Sequence, residues 1–403
     1  PYDGTLYPPE IAPTEFVWKD NLSDAGSWRI RVEFEDGAPA VTGRSDTTAW
    51  VPGPKEWETI KTHSKGKKAT IVVRGVKTPL MGLLPGRAVS EARTSITVSS
   101  DSVGAPIFYR DVPLPFNFAK EKMELIQWRL GDISNPERPP VAIENLPVCG
   151  NCHTFSRDGS TLAMDVDSGG DKGAYAITPF EEQTFLSKDR LITWNDFRRE
   201  QGAISFGLLA QISPDGRFVA STVEDRVIFL GKEGTKLEFS QLFFPVKGIV
   251  AYYDRAAKTI KALPGASDPD YCQSNPSWSP DGKYIIFAKA PLRGDIKKDK
   301  TKNIVLTLAQ SAQFLGGEQY IEDSMNAAVY AYDLYRLPFN EGRGGTPEPV
   351  PGASGDGKSN YFAKYSPDGK WIVFCKARSF MLLQPDSRLW IMPADFSAAP
   401  REL

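Results

Sequence analysis

Cysteine and histidine are scarce in this chain, with four and two residues among 403. So few cysteines cannot staple a protein of this size, which excludes a disulfide scaffold. Two histidines leave little for histidine acid–base catalysis. No apolar run is long enough to span a bilayer. Charge of one sign is also missing: the net charge is −2, which gives no global case for binding nucleic acid or an anionic membrane. An initiator methionine and an apolar signal segment are absent from the opening PYDGTLYPPE, so the expectation is a mature or trimmed product. What remains is ordinary globular composition, 41% apolar and 24% charged, at a length that suggests two or three domains.

A repeat organises most of the chain. SRDG at 156–159 and SPDG at 213–216, 279–282 and 366–369 each lie between an apolar approach and an apolar departure. Asp-Gly between two β-rich runs signals a hairpin turn, because glycine accepts the positive φ a tight turn demands. Further strand-rich pieces follow at 173–177, 249–254, 329–337 and 388–395. Two hairpins per unit, recurring at intervals of tens of residues, predict blades of a β-propeller with insertions. The segment 123–143 reads as the outer half of another blade. These repeats resemble the TolB-like, or PD40, propeller family, over about 105–403. The resemblance implies an all-β propeller of five or six blades that serves as a protein-interaction platform.

The first hundred residues have a different rhythm. FVW, WRIRVEF, ATIVVRG and RTSITVS are strands separated by Gly, Pro, Asp and Ser, a spacing that predicts a small β-sandwich over 1–102. By strand rhythm it resembles a fibronectin type III or immunoglobulin-like module. The propeller is then expected over 103–403, with an irregular insertion at about 288–328.

The scarce residues are not scattered. VCGNCHTF places Cys149, Cys152 and His153 within five positions. A shuffled chain of this composition would hold C-x-x-C-H with a probability of roughly 2 in 10,000. The pattern is the attachment signature of c-type haem: two thiols bond the vinyl groups and the adjacent histidine reaches the iron. Other readings stay open. A redox dithiol normally precedes a helix, and a structural zinc site would need a fourth ligand. Counted back from the turn serine, His153 lies at minus three, matching Ala210, Pro276 and Ala363. Cys149 lies at minus seven, where the third repeat has Cys272, a minor candidate for a metal or disulfide role. The haem is expected near the channel mouth of the propeller. For the far side of the iron, His63 in the loop KTHSKGKK is the remaining histidine, while Met164 aligns with packing positions. Asp165, Asp167 and Asp171 in MDVDSGGDKGAY are candidate Ca²⁺ ligands whose spacing departs from the EF-hand loop.

The expected function is that of a monohaem c-type cytochrome, an electron carrier rather than a stand-alone catalyst, with the propeller as scaffold. Attachment of this kind takes place outside the cytoplasm, so the expected location is periplasmic, cell-surface or extracellular. The expected partner is a redox protein or a multiprotein surface complex; no nucleic acid or transmembrane segment is expected, and an oligomer is open. The basic runs 61–68 and 293–302 are solvated faces or docking surfaces for an acidic partner. Two alternatives remain: a structural or assembly protein of a cell-surface complex or filament, and a haem-dependent oxidoreductase subunit.

Overall fold

The structure, a computed structural model, describes residues 1–21, 25–77, 87–113, 116–144, 150–182, 184, 186–202, 204–231, 241–292, 305–306, 331–378, 381 and 386–403. The fold is all-β, with 47% of residues in strands and 9% in helices. Two compact units form: Pro1–Asp111 with Trp128–Val141, and Val112–Gln127 with Ala142–Leu403.

In the first unit the strands are β1 (Thr5–Tyr7), β2 (Phe16–Val17), β3 (Ser27–Phe34), β4 (Val41–Ser45), β5 (Ala49–Trp50), β6 (Ala69–Val76) and β7 (Ala88–Val98), with helix α1 (Pro54–Ser64) between β5 and β6. Five of them make one sheet in the order β1-β7-β6-β3-β4. The alternation in SWRIRVEF explains its two faces: Trp28, Ile30, Val32 and Phe34 point into the core while Arg29 and Arg31 point to water. The layer opposite is the short β2–β5 ladder together with α1, a helix that strand rhythm does not reveal. Pro54 at its start fixes φ where no N–H is needed. Trp57 and Ile60 then carry its buried face, and the Trp57 indole donates to Ile11 O at 2.8 Å. His63 therefore ends a helix instead of lying in a loop.

The segment 123–143, expected as the outer half of a blade, contributes β9 (Gln127–Gly131) and β10 (Val141–Ile143) to a sheet of three strands. Strand β9 pairs with β10 and with β8 (Ile107–Asp111). Arg129 and Arg138 both reach Asp111 at 2.5 Å there, and Trp128–Val141 groups with the first unit. Apolar alternation alone cannot say which sheet a strand joins.

The second unit carries the blades. The first is β11 (Gly150–Phe155), β12 (Thr161–Val166), β13 (Ala174–Pro179) and β14 (Leu191–Thr193). The second is β15 (Gln211–Ile212), β16 (Phe218–Gly231), β17 (Gln241–Asp254) and β18 (Thr259–Ala262). In the third, β19 (Tyr271–Trp278) and β20 (Tyr284–Pro291) are followed by β21 (Val305–Leu306), which pairs back onto β16, then by β22 (Asp333–Pro338) and β23 (Glu348–Pro349). The fourth is β24 (Ser359–Tyr365), β25 (Trp371–Ala377), β26 (Arg388–Pro393) and β27 (Arg401–Glu402). Each is a four-stranded antiparallel meander. Most of the 288–328 insertion lies outside the described residues.

Each serine–aspartate–glycine turn closes the first hairpin of its blade in the same way. The serine hydroxyl donates to the aspartate at 2.5–2.6 Å and accepts the backbone N–H five residues on at 2.8–3.0 Å. The aspartate accepts the N–H after the glycine at 3.0–3.1 Å. The four glycines have φ between 72 and 74°, where a Cβ is strained. Adjacent turns touch: Arg157 N donates to Pro214 O at 2.9 Å, and Gly282 and Gly369 face Pro214 and Pro280. Between blades two and three, the Trp278 indole donates to Gln211 O at 2.9 Å.

Removing the hydroxyl strands a buried N–H where the serine is buried. Ser279→Ala should therefore cost roughly 1–3 kcal/mol, against under about 1 kcal/mol for the more exposed Ser366→Ala, measured by urea denaturation. Hydrogen bonds from Ser156 and from the Ser160 backbone lower the Asp158 carboxyl from 3.8 to about 2. A depressed folded pKa adds stability above the unfolded value, lost as pH falls from about 4 toward 2. A carboxyl NMR titration should find the Asp158 midpoint near the bottom of that window.

Candidate functional site

β11 holds two of the three motif residues; Cys149 lies outside the described residues. The β11–β12 ladder pairs Gly150 with Val166 and His153 with Met164, and its register shifts between the two. Two residues, Asn151 and Cys152, thus stand against Asp165, the pattern of a β-bulge. Blades three and four break register one residue later, between Ser274 and Ser277 and between Tyr361 and Lys364. Four residues before the turn serine, where the first blade has Cys152, stand Leu209, Asn275 and Phe362 with φ of 60, 59 and 53°. Non-glycine residues in that region each cost on the order of 1 kcal/mol; Cys152 itself does not adopt it, so the first blade bulges with a backbone of its own. The bulge re-aims the side chains around it. The strict alternation that would send Cys152 and His153 to opposite faces is interrupted at the motif.

Both side chains are half-buried. Phe155 meets the His153 ring edge-on at 6.5 Å and Phe180 at 5.1 Å, an apolar flank for the imidazole. Cys152 is hydrogen-bonded with Asp165, whose carboxyl burial pushes well above the usual range. Cys152 thus has a neighbour that favours the neutral acid. Asp165, half-buried, pairs across the ladder with the fully buried Tyr175. Asp165 Oδ1 and the Tyr175 hydroxyl have no hydrogen-bond partner among the described residues.

The remaining candidates separate. Met164 is fully buried, as its packing position implies. The three aspartates do not converge: Asp165 turns to Cys152, Asp167 pairs with Lys172, and Asp171 accepts from Gly173 N at 2.9 Å and Asn195 Nδ2 at 2.6 Å. Among the described residues no three His, Cys, Asp or Glu side chains form a metal-sized group. Cys272 is a free, buried thiol, hydrogen-bonded with Tyr332 and raised by burial, which makes it an inert core residue. His63 belongs to the first unit, where Nδ1 meets Asp36 at 2.8 Å and the ring lies beside Phe34.

Two groups were missed in the sequence. The first is a ring of polar positions two before each turn serine: Thr154, Gln211, Ser277 and Lys364. Lys364 Nζ donates to Gln211 Oε1 at 2.8 Å, joining the inner strands of blades two and four across the unit's middle. The ammonium is open to water yet surrounded by protein. That desolvation lowers it to about 8, while the neighbouring Cys152 acts the other way. No carboxylate among the described residues pairs with it. Aligning the repeats at minus two would have shown this ring. The second is Asp225, buried at the irregular stretch of β16, whose two oxygens take the Phe206 N–H at 3.1 and 3.2 Å. Burial raises it to about 7.

A raised folded pKa gives stability that is full below the unfolded value and lost as pH rises through the folded one. The urea midpoint should therefore decline between about pH 4 and 7. Asp225→Asn should flatten that decline, and an unchanged slope would remove Asp225 as its source.

No family model matches the sequence, and no curated protein matches it either. Solved structures similar to the chain include a prolyl endopeptidase at 12% identity, covering 74% of this chain and 33% of that one with a TM-score of 0.37. An oligogalacturonate lyase from Vibrio parahaemolyticus aligns at 10% identity, covering 74% and 72%, with a TM-score of 0.34. Hydrazine synthase from Kuenenia stuttgartiensis aligns at 12% identity, covering 67% and 70%, with a TM-score of 0.32. The chain spans about a third of the endopeptidase's length. The propeller assignment rests on the chain's own strand pairing.

Proposed function

We propose that this protein is a monohaem c-type cytochrome that carries electrons outside the cytoplasm, with the blades as a rigid interaction scaffold for a redox protein partner. The observation that supports this most is the C-x-x-C-H run with Cys152 and His153 side by side and half-exposed at a strand bulge. The strand setting counts against a redox dithiol, which normally precedes a helix. The lack of a third convergent ligand among the described residues counts against zinc. Cys149 and Cys152 would hold the group through thioethers and His153 would ligate its iron. When bound, the haem supplies one-electron redox chemistry.

The protein's own contribution lies in placement and electrostatics. Phe155, itself packed on Phe180, gives the imidazole an apolar flank, and Asp165 holds Cys152. Lys364 adds a cation within electrostatic reach of Cys152, which favours gain of an electron nearby.

The first test is a visible spectrum of the native protein, oxidised and dithionite-reduced, paired with intact mass. Sharp reduced α and β bands with a mass increment of one haem are expected. A colourless protein of bare polypeptide mass would overturn the reading. In the coloured protein, Lys364→Met should lower the midpoint potential by on the order of tens of millivolts, with the difference fading as pH passes about 8.

A further inference from the structure

The outward face of the sheet in the first unit is arranged in a way that folding alone would not favour. Register places Arg29 of β3 directly beside Arg44 of β4 on one side and Arg74 of β6 on the other. Three like charges therefore stand in a row across neighbouring strands, spaced about 4.8 Å apart along the hydrogen-bonding direction. Such pairs destabilise a sheet. The next row sets Thr42, Arg31, Val72 and Arg93 side by side.

Carboxylates answer some of this charge but leave its centre. Arg74 and Arg93 meet Glu91 at 2.6 and 2.9 Å, Arg31 meets Glu33 at 3.0 Å, and Arg44 meets Asp46 at 3.3 Å. Arg29, the middle of the row, has no ion pair among the described residues. Around it the face is concave. A cavity of about 620 Å³ is lined by Arg29, Arg31, Arg44 and Arg74 together with Thr42 and apolar or backbone groups, and by no carboxylate. Its floor includes Val72 and Val76, 1% and 5% exposed. That volume lies within the range of small-ligand sites. Guanidinium forks match phosphate and carboxylate oxygens in pairs, which an ammonium cannot do. The chain as a whole is slightly acidic, so the basic face is local.

We propose that this groove binds a small polyanion, a ligand with two or more phosphate or carboxylate groups, seated on the Arg44–Arg29–Arg74 row with Arg31 at its side. The proposal does not depend on the haem reading. The ligand would supply the negative charge that the row lacks, so binding and stability should respond to Arg29 in opposite directions.

The test is calorimetric titration of the full chain with tripolyphosphate and with citrate at about 20 mM salt, where screening is weak. Saturable one-to-one binding of either probe is expected. It should weaken at least about tenfold in Arg29→Gln, while Arg401→Gln, in the second unit, leaves it unchanged. In the absence of ligand, Arg29→Gln should raise the urea midpoint at low salt, and the gain should shrink as salt rises to about 0.5 M. That rise also shows that the variant is folded. Failure of both probes to saturate would overturn the proposal. So would equal weakening in the two variants, or a midpoint that Arg29→Gln leaves unchanged or lowers.

Discussion

A serine hydroxyl shared between an aspartate and a backbone N–H sets the geometry of every blade. The hydroxyl has one proton to give and lone pairs to receive. In each turn the proton goes to the carboxylate and a lone pair takes the N–H five residues on. Both strands of the hairpin are pinned to one point, so the register from that point inward is fixed. A slip of one residue would turn every side chain to the other face. With the turn fixed, the ladder breaks register three to five residues before the serine in blades one, three and four. The histidine of the first blade then falls just after it, and the polar ring two before the serine. The placement of the candidate site is a consequence of this turn, not of the cysteines.

Such a bulge is costly at three positions, and the cost is borne by blades that hold no candidate chemistry. Leu209, Asn275 and Phe362 have positive φ although none is glycine. This separates two explanations for the irregularity at Cys152. If irregularity belonged to the motif alone, the other blades would run straight. Blades three and four do not, although their breaks lie one residue later and centre on positive-φ residues, a conformation Cys152 does not share. What belongs to the first blade is its chemistry: a thiol where the others have Leu, Asn and Phe, and a histidine where they have Ala, Pro and Ala.

The parts legible in the sequence were those carried by local rules. Asp-Gly between apolar runs gives its turn without reference to anything distant, and SWRIRVEF announces its own two faces. The errors share a different cause. WRLG at 128–131 alternates like a blade strand, but its partners are 107–111 and 141–143, and pairing is not a local property. PKEWETIKTHS carries polar residues around most of its surface, so only Trp57 and Ile60 mark the buried face of α1, and the sequence around His63 reads as a loop. The aspartates of MDVDSGGDKGAY look alike as letters. Their environments differ because Asp165 lies within the ladder, half-buried beside Cys152, while Asp167 and Asp171 lie in the turn beyond the strand. Lys364 was legible in principle, since the repeat register was already in hand, but its meaning required knowing that opposite inner strands come within a side chain's reach.

Charge in the second unit's interior leans one way, and geometry keeps it so. Asp165 and Asp225 could serve as counter-ions for Lys364 if they were ionised and aimed at it. Each is spent elsewhere: Asp165 on the Cys152 thiol, Asp225 on the Phe206 N–H. Burial favours the proton on both carboxyls. Lys364 is left with an amide oxygen, which can accept its hydrogen bond but cannot cancel its charge. The ammonium is open to water, which screens its charge, so the missing carboxylate costs little stability. Its field still reaches Cys152, and negative charge arriving there would be favoured by it.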